Sequence, residues 1–154
     1  MTCRVVVVGY GNTLRSDDGL GWHAAERLAD DPRLDGVDVI QRHQLTPELA
    51  FDISAASLVV LIDASSRRAP GEFCVERVEP AAGAGPRGSH HLTPATLVAL
   101  AHELYGCAAD VLVVSCGVQS LEIGDRLSPV VEEALPRLVD AVAELVAASV
   151  PEMG

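Results

Sequence analysis

The sequence predicts an α/β fold: a three-layer α/β/α sandwich around a mostly parallel central sheet of about five strands. Three observations carry that expectation. Residues 4–8 (RVVVV), 58–62 (LVVLI) and 111–114 (VLVV) are apolar, mostly β-branched runs, as in strands buried on both faces of a parallel sheet. Helical patterns alternate with these strands, which is the order that places helices on both sides of a sheet. Polar residues collect immediately after the strands, where open α/β sheets bind their ligands.

The elements follow in order. Strand 4–8 leads into a glycine-rich turn and a helix over 19–29, with Leu20, Ala24 and Leu28 on one stripe. Residues 37–40 and 73–78 alternate more and read as strands nearer the edges. Thr46–Pro47 and Thr93–Pro94 each supply an N-cap and a first-turn proline, opening helices over 46–54 and 93–105, the second stopped by Gly106. The last helix starts at Ser128–Pro129 and carries Val131, Leu135, Leu138, Val142, Leu145 and Val146 on its apolar face. Pro136 lies inside it and is expected to kink it or split off a first turn. The Pro/Gly/Ala-rich stretch 79–89 reads as a mobile loop, too short for a domain boundary.

With 154 residues and no visible linker or repeat, the chain reads as one domain over 1–154. A 49% hydrophobic fraction with 21% charged residues excludes a disordered chain. The formal net charge is −11, which opposes nucleic acid or an anionic membrane as partner. All 11 basic residues are Arg. Without Lys there is no Walker A loop, Schiff base, pyridoxal-phosphate site or Ser–Lys dyad. Cys3, Cys74, Cys107 and Cys116 form no C-x-x-C pair, and Cys74 and Cys116 sit in apolar runs where a reduced thiol is expected. The N-terminal run CRVVVVG is too short for a signal peptide, and no stretch approaches the ~20 apolar residues of a membrane span. A soluble cytoplasmic protein is expected, and nothing in the sequence demands more than a monomer.

The chemistry-bearing residues sit at the strand ends. GYGNTLRSDDGLG (residues 9–21) follows the first strand, Asp63 follows LVVLI, and His90 and His91 follow the proline-rich loop. Carboxylates and an imidazole brought together make a metal site, or the carboxylates serve as a general acid–base pair. Asp17 and Asp18 precede a helix, where capping accounts for one of them. The turn lacks the third glycine of a dinucleotide fingerprint, having Leu14 there. No H-E-x-x-H or G-x-S-x-G occurs, which excludes a thermolysin-type zinc site and argues against an α/β-hydrolase. His23, His43 and His102 read as structural or exposed.

The segment 9–21 resembles the N-terminal signature G-x-G-N-x-L-x-x-D-[DE]-G-x-G of the hydrogenase maturation endopeptidases. It matches at Gly9, Gly11, Asn12, Leu14, Asp17, Asp18, Gly19 and Gly21. LVVLIDAS, SHHLTPATLVAL and GVQSLEIGDRLSP resemble three further blocks of that family in the same order, so the likeness spans nearly the whole chain. The resemblance implies a peptidase that removes the C-terminal extension of a nickel–iron hydrogenase large-subunit precursor after nickel insertion. It assigns Asp18, Asp63 and His90 as catalytic, metal-contacting residues, with His91 as the alternate imidazole. The metal implied is nickel supplied by the precursor, with no organic cofactor. Gly9, Gly11 and Gly19 are expected because the backbone must turn sharply next to the incoming chain. Two other readings fit the same residues: a stand-alone metallohydrolase with its own zinc, and a non-catalytic nickel sensor or assembly chaperone.

Overall fold

A computed structural model of the chain describes residues 4–80 and 92–149. Five strands form one sheet in the order β2-β1-β3-β5-β4: β1 (Val5–Tyr10), β2 (Asp38–Arg42), β3 (Leu58–Pro70), β4 (Phe73–Arg77) and β5 (Asp110–Gly117). The first four strands of that order run parallel, and β4 pairs antiparallel with β5 at one edge. The helices are α1 (Leu20–Ala29), the short α2 (Leu49–Asp52), α3 (Pro94–Tyr105) and α4 (Pro129–Ser149). The mixed, mostly parallel sheet flanked by helices is the architecture expected from the sequence.

Period-two alternation along the strands divides the core in two. Val5 and Val7 of β1 join Val60 and Ile62 of β3, packed with α1 and α4 on one face. Val6, Val8, Val59 and Leu61 point the other way, against Leu49, Ile53 and the α3 residues Leu97 and Ala101. Burial of both strand faces is why these segments show no polar alternation in the sequence. Thr93 caps α3 in a reciprocal bond with Thr96, and Gly106 ends it with φ +66°. Among the described residues no helix is long and apolar enough to cross a membrane. Cys74, Cys107 and Cys116 are all free thiols.

Three expectations change. The second helix is four residues, not nine: residues 46–48 turn through bonds such as Ala50 N–H to the Pro47 carbonyl (3.0 Å), so the Thr46–Pro47 signal opens a turn and not a long helix. Of the two outcomes expected at Pro136, the split does not occur: α4 runs on through it, and eight buried residues hold it in register, which outweighs one lost backbone bond. Strand β3 runs well past Ile62, because its polar continuation still pairs with β5 from Asp63–Ser115 to Ser65–Gly117. The loop 79–89 lies largely outside the described residues, as do His90 and His91.

Candidate functional site at the switch point of the sheet

The chain leaves β1 for β2 on one side of it and returns to β3 on the other. The carboxyl ends of β1 and β3 therefore form the topological switch point, the place where an α/β sheet opens a crevice. A cleft of about 550 Å³ lies there, lined by the β1–α1 turn, by His43, Gln44 and Leu45 beyond β2, by Asp63 of β3 and by Leu92.

The β1–α1 turn is built by its own side chains. Asn12 accepts the Leu14 N–H on Oδ1 (2.9 Å), while its backbone N–H donates to Asp18 Oδ2 (3.0 Å). That second bond fixes the Asp18 carboxylate at the cleft. Ser16 sits at φ 50°, an unusual conformation for a residue with a side chain, and is held by two bonds to a distant loop. Its N–H reaches the Gly124 carbonyl (2.8 Å) and its hydroxyl the Glu122 carbonyl (2.7 Å).

Asp17 does not cap α1, whose N-cap is Gly19 without a side-chain bond. It is fully buried and pins the loop before α4. Its Oδ1 accepts from Ser128 N–H (2.7 Å), and its Oδ2 from Gln119 N–H (2.9 Å), Ser120 N–H (3.0 Å) and the Ser128 hydroxyl (2.7 Å). Burial alone would raise its pKa, but the bonds from Ser128, Ser120 and Gln119 outweigh that and hold the carboxyl below its ordinary value. Of the paired aspartates, the first is thus structural and only the second faces the cleft.

The glycines also serve the chain itself. A Cβ on Gly9 would lie 2.0 Å from the Gly21 carbonyl oxygen, and one on Gly11 1.8 Å from that of Asp18. These positions, and Gly19 against Thr13, let the turn close on β1 and α1, in keeping with the sharp backbone turn expected of them.

Asp63 lies one step past the Gly9–Ile62 pair, so it stands beside Tyr10 at the carboxyl end of the sheet. Burial, assisted by the negative charge of Asp18, pushes its carboxyl up to about 6, against the opposing effect of the Tyr10 hydroxyl and the Ala64 backbone. The Tyr10 hydroxyl is itself buried; it lies near enough to Asp63 to favour the ionised carboxylate, yet meets full hydrogen-bond geometry with no described group. Burial and the same carboxylate push the phenol far above its usual range.

The structure thus brings Asp18 and Asp63 to one cleft. Among the described residues no three His, Cys, Asp or Glu side chains form a group able to hold a metal ion. Sequence reasoning missed Tyr10, Arg15 and His43, which line the same cleft. His43 stacks on Trp22 with ring centroids 4.7 Å apart and planes 9° apart. The position of Tyr10 inside Gly9-x-Gly11, at the end of the first strand, was a usable signal; the Trp22–His43 contact, between residues 21 apart, left none.

A model of the HycI hydrogenase maturation protease family matches residues 22–145. The chain belongs to the hydrogenase maturation protease family. The match begins directly after the glycine-rich signature, whose own likeness is independent of it. Among solved structures, the [NiFe] hydrogenase maturation protease HycI from Thermococcus kodakarensis KOD1 is 27% identical, with TM-score 0.73 over 94% of this chain and 93% of that one. The hydrogenase 2 maturation peptidase from Thaumarchaeota archaeon SCGC_AB-539-E09 is 26% identical, with TM-score 0.71 over 93% and 97%. The hydrogenase maturating endopeptidase HybD from E. coli shares the fold at 24% identity and TM-score 0.70, over 96% and 94%. No curated protein matches the chain.

Proposed function

We propose that this member of the family is an active endopeptidase: it removes the C-terminal extension of a nickel–iron hydrogenase large-subunit precursor once nickel has been inserted. It works as a cytoplasmic monomer, one domain over 1–154. The observation that carries the reading is the pair of carboxylates, Asp18 and Asp63, held at one cleft at the switch point of the sheet. Family membership supports the reaction class.

In this reading the nickel belongs to the substrate. Asp18, Asp63 and an imidazole, His90 or in its place His91, complete its shell from outside. Nickel accepts both imidazole and carboxylate, so the donor set suits it. Asn12 fixes Asp18 through its backbone bond, so one carboxylate is oriented before substrate arrives. A carboxyl titrating at about 6 in the free protein is ionised at neutral pH, so Asp63 is ready to take up the incoming ion. The docked ion polarises the scissile carbonyl as a Lewis acid. Precursor without nickel lacks the handle, so cleavage reports that metal insertion is complete.

The test incubates the protein with nickel-loaded and nickel-free precursor and follows loss of the tail by mass. Cleavage of the loaded form alone is expected. Asp18→Asn, Asp63→Asn and His90→Ala are each expected to stop it with the fold intact. Loss of activity in His91→Ala with His90→Ala active reassigns the imidazole by one residue. Cleavage of neither form by the unaltered protein overturns the reading.

A further inference from the structure

Tyr10 ends β1 with only 8% of its surface exposed, among the apolar residues that pack against α2 and α3. Tyr10 nonetheless lines the cleft, and its hydroxyl is buried and, among the described residues, has no hydrogen-bond partner of full geometry. A buried hydroxyl left in that state destabilises the free protein, and a phenylalanine would fill the same volume without the penalty. The cost needs an offsetting gain in another state of the protein. The β1–β3 register supplies the candidate: Gly9 pairs with Ile62, so the next residues, Tyr10 and Asp63, are neighbours on one face of the sheet.

A carboxylate that binds an ion through one oxygen keeps a second oxygen free, and such ligands are commonly held by a hydrogen bond on that side. The phenol is the buried donor at hand. We propose that Tyr10 is a positioning residue, whose O–H donates to the Asp63 oxygen turned away from the docked ion and so orients the other oxygen toward it. The inference rests on the reading of Asp63 given above. In the free protein the hydroxyl lies beside Asp63 without a bond of full geometry among the described residues; in the complex that bond is completed.

Tyr10→Phe in the full chain tests this. The measurements are affinity for nickel-loaded and for nickel-free precursor, and the thermal unfolding midpoint without substrate. Affinity for the loaded form is expected to fall about tenfold, the usual size of such an effect on metal binding. Affinity for the nickel-free form stays within twofold (about the scatter of such a measurement), and the midpoint stays level or rises, because among the described residues the hydroxyl makes no bond of full geometry to lose. A merely structural tyrosine gives the opposite pattern: a lower midpoint and equal loss for both forms, which overturns the proposal. So does loaded-form affinity equal to that of the unaltered chain. If the unaltered chain binds both forms alike, the reading of the substrate ion fails. The role of Tyr10 is then decided by titration with Ni²⁺ alone, where Tyr10→Phe weakens binding about tenfold or the proposal falls.

Discussion

Asp17→Asn separates the two neighbouring aspartates most cleanly. The substitution keeps the shape of the side chain but replaces one acceptor oxygen with a donor NH₂. The native carboxylate receives four donors: Ser128 N–H on one oxygen, and Gln119 N–H, Ser120 N–H and the Ser128 hydroxyl on the other. An asparagine places its single carbonyl oxygen best toward the three, so its NH₂ then faces the Ser128 N–H. One bond is lost, two donors oppose each other, and the remaining bonds lose their charge assistance. At about 1–3 kcal/mol for a buried group left unsatisfied, and somewhat less for each weakened bond, the loss is about 3 kcal/mol. For a chain of 154 residues that lowers the unfolding midpoint by roughly 9 °C. The sign of the pH dependence follows from the depressed carboxyl. Its contribution is full above the unfolded value of about 3.9 and is lost as pH falls through the lower folded value. Calorimetry of both proteins at pH 7 and again below pH 4 is the assay. A deficit near 9 °C at pH 7 that narrows in acid is expected; a variant within about 2 °C of the unaltered chain at pH 7 refutes the reasoning.

Asp63→Asn is expected to have the opposite sign. A carboxyl raised to about 6 in the folded state opposes folding wherever the unfolded group is ionised, so the variant is more stable at pH 7 by about 1–2 kcal/mol after allowance for partial solvent access. The gain disappears below about pH 4, and denaturant titrations across that range check it. Processing activity is expected to fall as pH drops through about 6, where Asp63 takes up its proton, and a pH–rate profile flat from 7 to about 5 contradicts the role given to it. Gly9→Ala drives a methyl to 2.0 Å from a backbone carbonyl and 2.6 Å from the Ala25 Cβ, so the variant is expected to lose well over about 3 kcal/mol, read from its yield of soluble folded protein. Thr93→Ala removes the bond to the Thr96 N–H (3.2 Å) and is expected to cost about 1 kcal/mol by chemical denaturation.

The core strands were readable because their burial is written locally. Val5–Val8 and Leu58–Ile62 are apolar on both faces, and a short, unbroken, β-branched run marks them. Asp18 and Asp63 were readable for a related reason: each follows such a strand, and strand ends point toward the crevice of an open sheet. What escaped depends on contacts distant in the chain. The role of Asp17 rests on partners 102 to 111 residues away, so its sequence position before a helix suggested a cap it does not form. The polar half of β3 pairs with β5 from Asp63 to Ser65 and again at Pro70, partners about 50 residues away that its local pattern does not show. The shortness of α2 follows from a turn that Thr46–Pro47 signals as well as it signals a helix. Tyr10 reads in the sequence as part of the glycine-rich turn, and only the sheet register reveals its place beside Asp63 at the end of β1.

The claim on which the account turns is that the carboxylates of Asp18 and Asp63 meet on an ion carried by the substrate. X-ray absorption at the nickel edge, recorded on the loaded precursor alone and in complex with the protein, reads that contact directly. Added oxygen and nitrogen neighbours around nickel are expected in the complex, with the oxygen contribution reduced in Asp18→Asn and in Asp63→Asn. A nickel spectrum identical in the free and bound precursor, under conditions where the complex is fully formed, contradicts it.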